Sequence, residues 1–234
     1  MDGLGSRVQV TGREVEVLGG DGVQRFELTE LPREFIDWQR GEREKLFERI
    51  AGREHIPTFS AHLPVVVTIN RDGRFPAHTA NKGAGFTARD EWLGEYIELL
   101  ENWVRHSRDG PWEESLAERV TLARRFYQGE HLDPRRLGLL EIFRGTTYRN
   151  ILANPCVSLH YAGPGPEYQS YQLNCIAEVV GPGDPRYRFI HAMRQLFEHE
   201  SFHIHQPSYP FGYLFWVCEV YDKSPRGAAG RRIA

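Results

Sequence analysis

The chain has 234 residues and a formal net charge of -3, with 26% charged and 40% hydrophobic residues. This length suits one domain with its own core, and the nearly neutral charge argues against nucleic-acid binding. Cys156, Cys175 and Cys218 are widely spaced, which argues against a disulfide framework and a closed zinc or iron–sulfur site. We therefore expect a cytoplasmic protein, since no secretion signal or membrane-spanning apolar run is predicted.

The first third of the chain predicts short strands and one helix. Residues 1–30 contain alternating apolar and polar side chains between Gly-rich turns, which is typical of a small β-hairpin extension. A helical pattern follows between Pro32 and Gly52, two residues that suit a helix start and a helix end. Residues 62–85 then predict a second β-hairpin.

The pattern changes to a helical period between about residues 87 and 130. Two helices are predicted there, and the second begins near Pro111. No Pro-, Ser- or Gly-rich linker flanks the stretch, and two helices alone cannot bury both of their faces. We therefore interpret it as an insertion within the domain.

Strands dominate the rest of the chain. The runs RRLGLLEIF, CVSLHYA, YQSYQLNCIAEVVG and YLFWVCEVYDK each predict a strand, and Asp184 followed by Pro185 predicts a helix start. Residues 224–234 are predicted to form a disordered tail. The sequence as a whole predicts an α+β, mainly β fold, with a single domain over residues 31–223.

A short helix in this region predicts an anion site. The preceding strand ends in RGTT (144–147), and the helix begins at once. Its free backbone N–H groups, the hydroxyls of Thr146 and Thr147, and the guanidinium groups of Arg144 and Arg149 suit a phosphate or a carboxylate. The alternative is that one threonine only caps the helix and that the arginines are solvated.

The ten histidines suggest a second candidate site. In an extended segment, His203 and His205 would lie on one face about 7 Å apart, close enough to share a metal ion with His199 or Glu200. The alternative is that they are polar residues at a helix end, near aromatic rings. Three other histidines lie on predicted strands and could ligate haem iron or move protons beside a flavin: His62, His78 and His160.

Aromatic residues make up 12% of the chain. Those at helical spacing, such as Trp92 and Trp103, are expected in the core. Those in Gly- and Pro-punctuated stretches are candidates for the walls of a pocket that binds a planar ligand: Tyr168, Tyr171, Tyr209, Phe211 and Tyr213.

Two stretches, LEIFRGTTYRNILANPCVSLHYA and YQSYQLNCIAEVVGPGDP, resemble the pyridoxamine 5'-phosphate oxidase-like, FMN-binding split β-barrel family. The shared order is a strand, two threonines, a short helix ending in Asn-Pro, a strand, and a later strand with glutamines. The resemblance covers about residues 60–86 and 135–222, on either side of the helical insertion. It implies a predominantly antiparallel split β-barrel with covering helices and a two-helix insertion, assembled as a homodimer.

The resemblance also implies roles for individual residues. It implies that Lys82, Thr146, Thr147 and Arg149 contact the phosphate of FMN. It further implies that three polar residues face the isoalloxazine ring or the phosphate, commonly across the dimer interface: Gln169, Ser170 and Gln172. Barrels similar to this one bind FMN, the deazaflavin F420 or haem, so all three cofactors stay open.

These observations predict an FMN-dependent oxidoreductase that acts on a small-molecule substrate, with His203 and His205 as catalytic residues. No nucleic-acid partner, membrane partner or bound metal is expected. Three alternatives stay open: a haem-binding split-barrel enzyme with a histidine axial ligand, a non-catalytic protein that binds a planar small molecule, and a His-rich non-haem metal enzyme.

Overall fold

The computed structural model describes residues 7–20, 22–54, 60–71, 73–107, 110–163, 168–199, 208–225 and 230–234. In chain order, its elements are β1 (Val8–Thr11), β2 (Glu14–Gly19), β3 (Gly22–Glu27), α1 (Arg33–Ala51), a 3₁₀ turn (Ser60–His62), β4 (Val65–Ile69), β5 (Ala77–Asn81), β6 (Gly85–Ala88), α2 (Asp90–Ser107), α3 (Trp112–Tyr127), β7 (Leu132–Glu141), α4 (Thr146–Ala153), β8 (Cys156–Ala162), β9 (Ser170–Val180), α5 (Pro185–Gln195), β10 (Phe211–Asp222) and β11 (Arg231–Arg232).

The main sheet has the strand order β5-β4-β8-β9-β10-β7-β6, and all neighbouring strands are antiparallel. Its two edge strands, β5 and β6, are consecutive in the chain and are joined only by residues 82–84. Three residues span at most about 11 Å, so the sheet must curl until its two edges approach each other. This closure confirms the predicted split β-barrel with antiparallel strands.

A smaller sheet, β1-β2-β3, packs on the outside of the barrel. Val15 and Val17 on β2 belong to one buried cluster with Leu214 and Trp216 on β10. Because side chains alternate across a strand, the other face of β2 stays towards solvent. The N-terminal strands therefore cover part of the outer face of the main sheet and leave the rest of that face open.

Helix α1 packs against aromatic rings that point into the barrel. Phe35 and Trp38 meet the rings of Tyr161 on β8 and Tyr171 on β9, with ring centroids 5.2 to 6.2 Å apart. The helix ends at Gly52, the residue that the sequence predicts as its stop. Such edge-to-face contacts orient the helix in addition to burying apolar area.

Helices α2 and α3 connect the neighbouring strands β6 and β7. Leu93 and Val120 lie on their buried faces, while Trp92 and Trp103 are half-buried and pack at the margin of the core in which they were predicted. Helix α2 contacts α5, and α3 contacts α1. No helix among the described residues has the length and apolar character needed to cross a membrane.

A buried arginine joins strand β7 to the start of α2. Arg136 is fully buried and donates from Nε to the Thr87 hydroxyl (2.9 Å) and from Nη2 to the Ala88 carbonyl (2.7 Å) and to Asp90 Oδ1 (2.6 Å). A buried charge is tolerated only when such partners replace water. This set of contacts therefore determines where the helical connection leaves the barrel.

Two strands differ from the sequence prediction. Gly85 was expected to end a strand, but it begins β6. Residues 231–232, predicted within a disordered tail, form β11 against Tyr221 and Asp222 of β10. Strand β7 pairs with β10 only as far as Trp216. Beyond Trp216, the β7 side of β10 is therefore free to pair with β11, because an open strand edge is a ready template for another strand.

We predict that Gly212→Ala destabilises the barrel. An added Cβ would lie 2.6 Å from the backbone oxygen of Leu139 on the paired strand β7, which can move only if the strand pairing shifts. The expected loss in the free energy of unfolding is about 1–3 kcal/mol, measured by urea denaturation. Gly181→Ala is the matched control, because a Cβ there meets no atom within 4 Å. Equal losses in the two variants would contradict the prediction.

Candidate functional site

The N-terminus of α4 has no side-chain cap. Gly145 occupies the N-cap position, and neither Thr146 nor Thr147 does. The alternative in which one threonine only caps the helix is therefore wrong. The first backbone N–H groups of a helix have no partner within the helix, and together with the helix dipole they attract anions.

Arg149 and Thr146 lie together at this helix end. Arg149 Nη2 donates to the Thr146 hydroxyl (3.1 Å), and the side chains of Arg149 and Arg144 are exposed. The side chain of Thr147, in contrast, is buried, so that residue can offer an anion only its backbone N–H. Two predicted phosphate residues, Thr146 and Arg149, are thus in contact, while the side chain of the third, Thr147, is buried.

Helix α4 is attached to strand β4 by a buried hydrogen bond that the sequence analysis missed. Asn150 Nδ2 donates to the Thr68 hydroxyl (3.0 Å), and both side chains are buried. Asparagine has a low helix propensity and usually favours caps and turns. An asparagine inside a predicted short helix was therefore a signal that its side chain has a partner elsewhere.

Lys82, the fourth predicted phosphate residue, pairs with Glu141. Lys82 Nζ lies 2.6 Å from Glu141 Oε2, and both side chains are largely buried. The other carboxylate oxygen, Oε1, accepts the backbone N–H groups of Ile142 (3.0 Å) and Phe143 (3.3 Å). A phosphate at Lys82 would have to compete with this carboxylate. Glu141 was missed because it lies inside an apolar run that predicts a strand.

Most of the aromatic residues expected in a ligand pocket lie in the core instead. Tyr171, Tyr209, Phe211 and Tyr213 are buried, because β9 and β10 extend through three of these positions. Burial, and then the Glu141 carboxylate, raises the pKa of the Tyr213 hydroxyl, which therefore stays protonated. Only Tyr168 of the five is exposed.

Ser170 and Gln172 lie on strand β9, with their side chains half-buried. The Ser170 hydroxyl is 3.1 Å from His160 Nε2 on β8, and Gln172 Nε2 donates to Asn174 Oδ1 (3.0 Å). His160 is directly opposite Gln172 in the strand register. Gln169 is half-buried just before β9 begins. The predicted ring-facing residues therefore adjoin one another and have His160 beside them.

Polar side chains that the sequence analysis did not select continue this surface. Asn174 also accepts from the Ser158 hydroxyl (2.7 Å) and donates to Glu219 Oε2 (2.6 Å). Ser158, Asn174 and Glu219 line a cavity of about 610 Å³ between the main sheet and the N-terminal strand β3. The sequence signal for this surface was the spacing of its polar residues. Ser158 and His160 are two positions apart on one strand, as are Gln172 and Asn174 on the next, so each pair shares a face of the sheet.

Strands β4 and β5 lie between the two groups of predicted residues. Gln172 is in register with His160, Val65 and Asn81 across β9, β8, β4 and β5, which separates the backbones of Gln172 and Asn81 by roughly 14 Å. Helix α4 contacts both β4 and β5. The candidate anion site thus lies beside β4 and β5, and the polar face lies on the adjacent strands β8 and β9.

The structure describes only part of the predicted histidine metal site. Glu200, His203 and His205 lie outside the described residues, while the ring of His199 stacks on Trp112 with centroids 4.5 Å apart. Across the described ranges, no three side chains of metal-binding type cluster. The shared metal site between His203 and His205 therefore stays an untested hypothesis.

His62 and His78, two of the histidines considered as haem ligands, differ in setting. His62 belongs to the 3₁₀ turn rather than to a strand. Its Nδ1 is 3.1 Å from Arg43 Nη2, and Nε2 is so close to Gly83 that a Cβ there would lie 2.8 Å away. The ring is thus held between two neighbours. His78 lies on β5 and is half-buried.

The three cysteines are free thiols in apolar surroundings. Burial raises the pKa of Cys218 to about 12 and also raises the pKa of Cys156 and of Cys175. The thiolate is the reactive form of cysteine. These thiols stay protonated at neutral pH, so they are small apolar side chains rather than nucleophiles.

We predict that Lys82→Met costs about 3 kcal/mol in the free energy of unfolding, because it leaves the Glu141 carboxylate buried without its cation. The double variant Lys82→Met/Glu141→Gln is expected to recover much of that loss, since no charge then remains in the pair. Guanidinium denaturation of the wild type, both single variants and the double variant measures the coupling. Additive losses would show that the pair contributes nothing.

Comparison with known proteins finds solved structures with a similar fold. No family model matches the chain, and a search of curated proteins gives no match. One similar solved structure is HupZ of Group A Streptococcus, with 12% identity, coverage of 80% of this chain and 97% of that chain, and a TM-score of 0.40. Another is a pyridoxamine 5'-phosphate oxidase-related, FMN-binding protein of Nostoc punctiforme, with 10% identity, coverage of 86% of this chain and 88% of that chain, and a TM-score of 0.44. An F420 reductase is also similar, with 14% identity, coverage of 68% of this chain and 87% of that chain, and a TM-score of 0.38. The split β-barrel itself rests on the strand order of this chain.

Proposed function

We propose that this protein is an oxidoreductase of the split-barrel flavoprotein type, which binds FMN or the deazaflavin F420 and acts on a small-molecule substrate. The observation that carries the proposal is the uncapped N-terminus of α4, flanked by the exposed guanidinium groups of Arg144 and Arg149. Backbone N–H groups and arginines together suit a phosphate group. Both cofactors contain one.

The polar face of β8 and β9 supports a site for the ring of the cofactor. FMN carries its ring and its phosphate at opposite ends of a flexible chain, so it needs two separated sites. Gln172 and Asn81 are three strands apart in one register, and α4 contacts the strand that carries Asn81. Because Asn150 of α4 bonds Thr68, three positions from Val65 on β4, the two sites face different sides of the sheet. Only an elongated ligand that passes the edge strand β5 could reach both.

Within this proposal, the residues of the chain bind, orient and exchange protons. Arg149, Thr146 and the α4 backbone would hold the phosphate, with Thr147 contributing its N–H, while Gln169, Ser170 and Gln172 would orient the ring. The cofactor, when bound, supplies the hydride or electron chemistry. His160 is opposite Gln172 and could transfer a proton beside the ring. His203 and His205 remain candidates for the same task.

A role for Lys82 in phosphate binding requires a rearrangement. Its ammonium group is neutralised by Glu141, so the incoming phosphate would have to draw it away. Without that rearrangement, the positive charge at the site comes from Arg144 and Arg149, and Lys82 serves to hold Glu141.

The alternative cofactor and a purely binding role have less support. Haem would need an axial ligand, and His62, one candidate, is held between Arg43 and Gly83. A non-catalytic binding protein would hold the flavin without turnover. Reduction of the bound cofactor by a nicotinamide donor, followed by reoxidation by a small-molecule acceptor, would separate an enzyme from such a protein.

We also propose that the chain acts as a homodimer in the cytoplasm. The open outer face of β4, β5 and β8 supports the homodimer, because Ile69 and Leu63 beside it are exposed apolar residues. The three free thiols support the cytoplasmic location. Light scattering on a size-exclusion column is expected to give the mass of two chains, and the mass of one chain at micromolar concentration would contradict the dimer.

We predict that Arg149→Met weakens FMN binding about tenfold and leaves the binding of riboflavin, which has no phosphate, unchanged. The size of the effect follows from the loss of one charge-assisted hydrogen bond. Flavin fluorescence quenching measures both affinities, and an absorbance band near 450 nm in the purified protein would identify a resident flavin.

The matched control is Arg105→Met, which removes an exposed arginine that bonds a side chain three residues earlier, as Arg149 does. That variant is expected to bind FMN as the wild type does. An equal loss for riboflavin and FMN in Arg149→Met would assign the effect to folding rather than to phosphate binding. A protein that takes up no flavin, deazaflavin or haem would overturn the proposed function.

A further inference from the structure

We propose that Glu219 and Asn174 are positioning residues that orient the side-chain amide of Gln172, so that its carbonyl oxygen Oε1 faces the ligand. The site then selects a ring that presents an N–H donor, such as a cyclic imide. This inference rests on the proposed function for its ligand, but the orientation of the amide does not depend on it.

The three side chains form a continuous hydrogen-bonded row across β9 and β10. Asn174 Nδ2 donates to Glu219 Oε2 (2.6 Å), and Asn174 Oδ1 accepts from Gln172 Nε2 (3.0 Å). The Ser158 hydroxyl donates to the same Asn174 oxygen (2.7 Å). All four side chains are half-buried, so the bonds are partly shielded from water and strengthened by the lower local dielectric.

The chemistry of the groups determines the direction of the row. An ionised carboxylate only accepts hydrogen bonds, whereas an amide has one accepting end and one donating end. Asn174 must therefore turn its NH₂ group towards Glu219, and its oxygen then faces Gln172. Gln172 must therefore donate from its own NH₂ group to that oxygen. Its oxygen Oε1 is left over and accepts no hydrogen bond from the described residues, so it can meet an N–H group of a ligand.

Glu219 is itself held by two further residues. Arg232 Nη1 donates to its Oε1 (3.2 Å), and the Tyr221 hydroxyl donates to its Oε2 (3.2 Å). Arg232 lies on β11, the strand that pairs with the end of β10. The C-terminal strand thus helps to hold the carboxylate in place.

An irregularity in the sheet brings Glu219 to this face. Strand β10 contains a β-bulge, since Val217 pairs with Cys175 but Glu219 pairs with Asn174. In a regular ladder, Glu219 would be opposite Leu173, whose side chain is buried inside the barrel. Bulges re-aim side chains and are frequent beside functional sites, and a shift of one residue moves a side chain to the opposite face.

The expected ligand group follows from the orientation. FMN and F420 both carry a pyrimidinedione ring with one N–H between two carbonyl groups. That N–H can donate to Gln172 Oε1. A ligand that turned a carbonyl oxygen towards the same atom would place two acceptors together, which leaves both without a partner and is unfavourable. Haem has no such N–H group.

The orientation can be tested without any ligand. The side-chain amide protons of Asn174 and Gln172 in the free protein are expected to exchange with water at least about tenfold faster in Glu219→Gln than in the wild type, because an amide at position 219 no longer imposes a direction. Nitrogen-15 NMR measures both rates. Glu101→Gln, which alters the exposed pair between Glu101 on α2 and Arg188 on α5, is the matched control and should leave both exchange rates unchanged. Unchanged rates in Glu219→Gln would overturn the proposal.

The consequence for the ligand is tested with FMN and its N3-methyl derivative, which lacks the N–H group. We expect the wild type and Glu101→Gln to bind FMN about tenfold more tightly than the methyl derivative, which corresponds to about 1.4 kcal/mol. In Glu219→Gln and Gln172→Leu, the preference should fall below about threefold. Equal binding of both flavins by the wild type, or a preserved preference in Glu219→Gln, would overturn the selection.

The two proposals fail in different ways. If the wild type binds neither flavin, the proposed function is wrong, while the exchange rates still decide whether Glu219 orients the amides. If flavin binds and the exchange rates do not respond to Glu219→Gln, the proposed function stands and the orienting role is wrong. A thermal melt of each variant separates a local effect from a loss of the fold.

Discussion

The short link between the two edges of the main sheet is the constraint on which the rest of the structure depends. Strands β5 and β6 lie at opposite edges but are separated by only three residues, so the sheet has to curl. Lys82 belongs to that link, and its pair with Glu141 joins the link to the end of β7. Helix α4 begins after a further four residues, so the pair that closes the barrel lies close in the chain to the candidate anion site.

A second consequence of the curled sheet is that its faces have different chemistry. The inner face is filled by apolar and aromatic side chains, including Tyr161 and Tyr171, which α1 covers. The outer face is covered by the N-terminal sheet only in part. On the open part, polar residues two positions apart along β8 and β9 form a connected row of hydrogen bonds. The proposed ring site and the core therefore lie on opposite sides of the same strands.

Local signals predicted many elements well. Strand β8 has the bounds of the run CVSLHYA, and α5 begins after Asp184, whose carboxylate accepts the Arg186 N–H (2.8 Å). Both depend on interactions within a few residues, which the sequence displays directly. At the candidate site the short helix was predicted, but its start was not: RGTT was expected to end the strand, whereas β7 ends at Glu141 and both threonines belong to α4. The hydrogen bond that attaches α4 to the sheet could not be predicted locally, because Asn150 and its partner Thr68 are 82 positions apart.

The sequence by itself predicted the element types, because periodicity and caps are local properties, while its resemblance to a known family implied the antiparallel split β-barrel and completed the set of candidate phosphate residues. Only the tertiary structure decided which of those residues are available. Lys82 meets Glu141 across 59 positions, Tyr213 turns into the core, and the β10 bulge brings Glu219 to Asn174. Each outcome depends on strand register and on which face is buried, and these are settled only when distant strands pair.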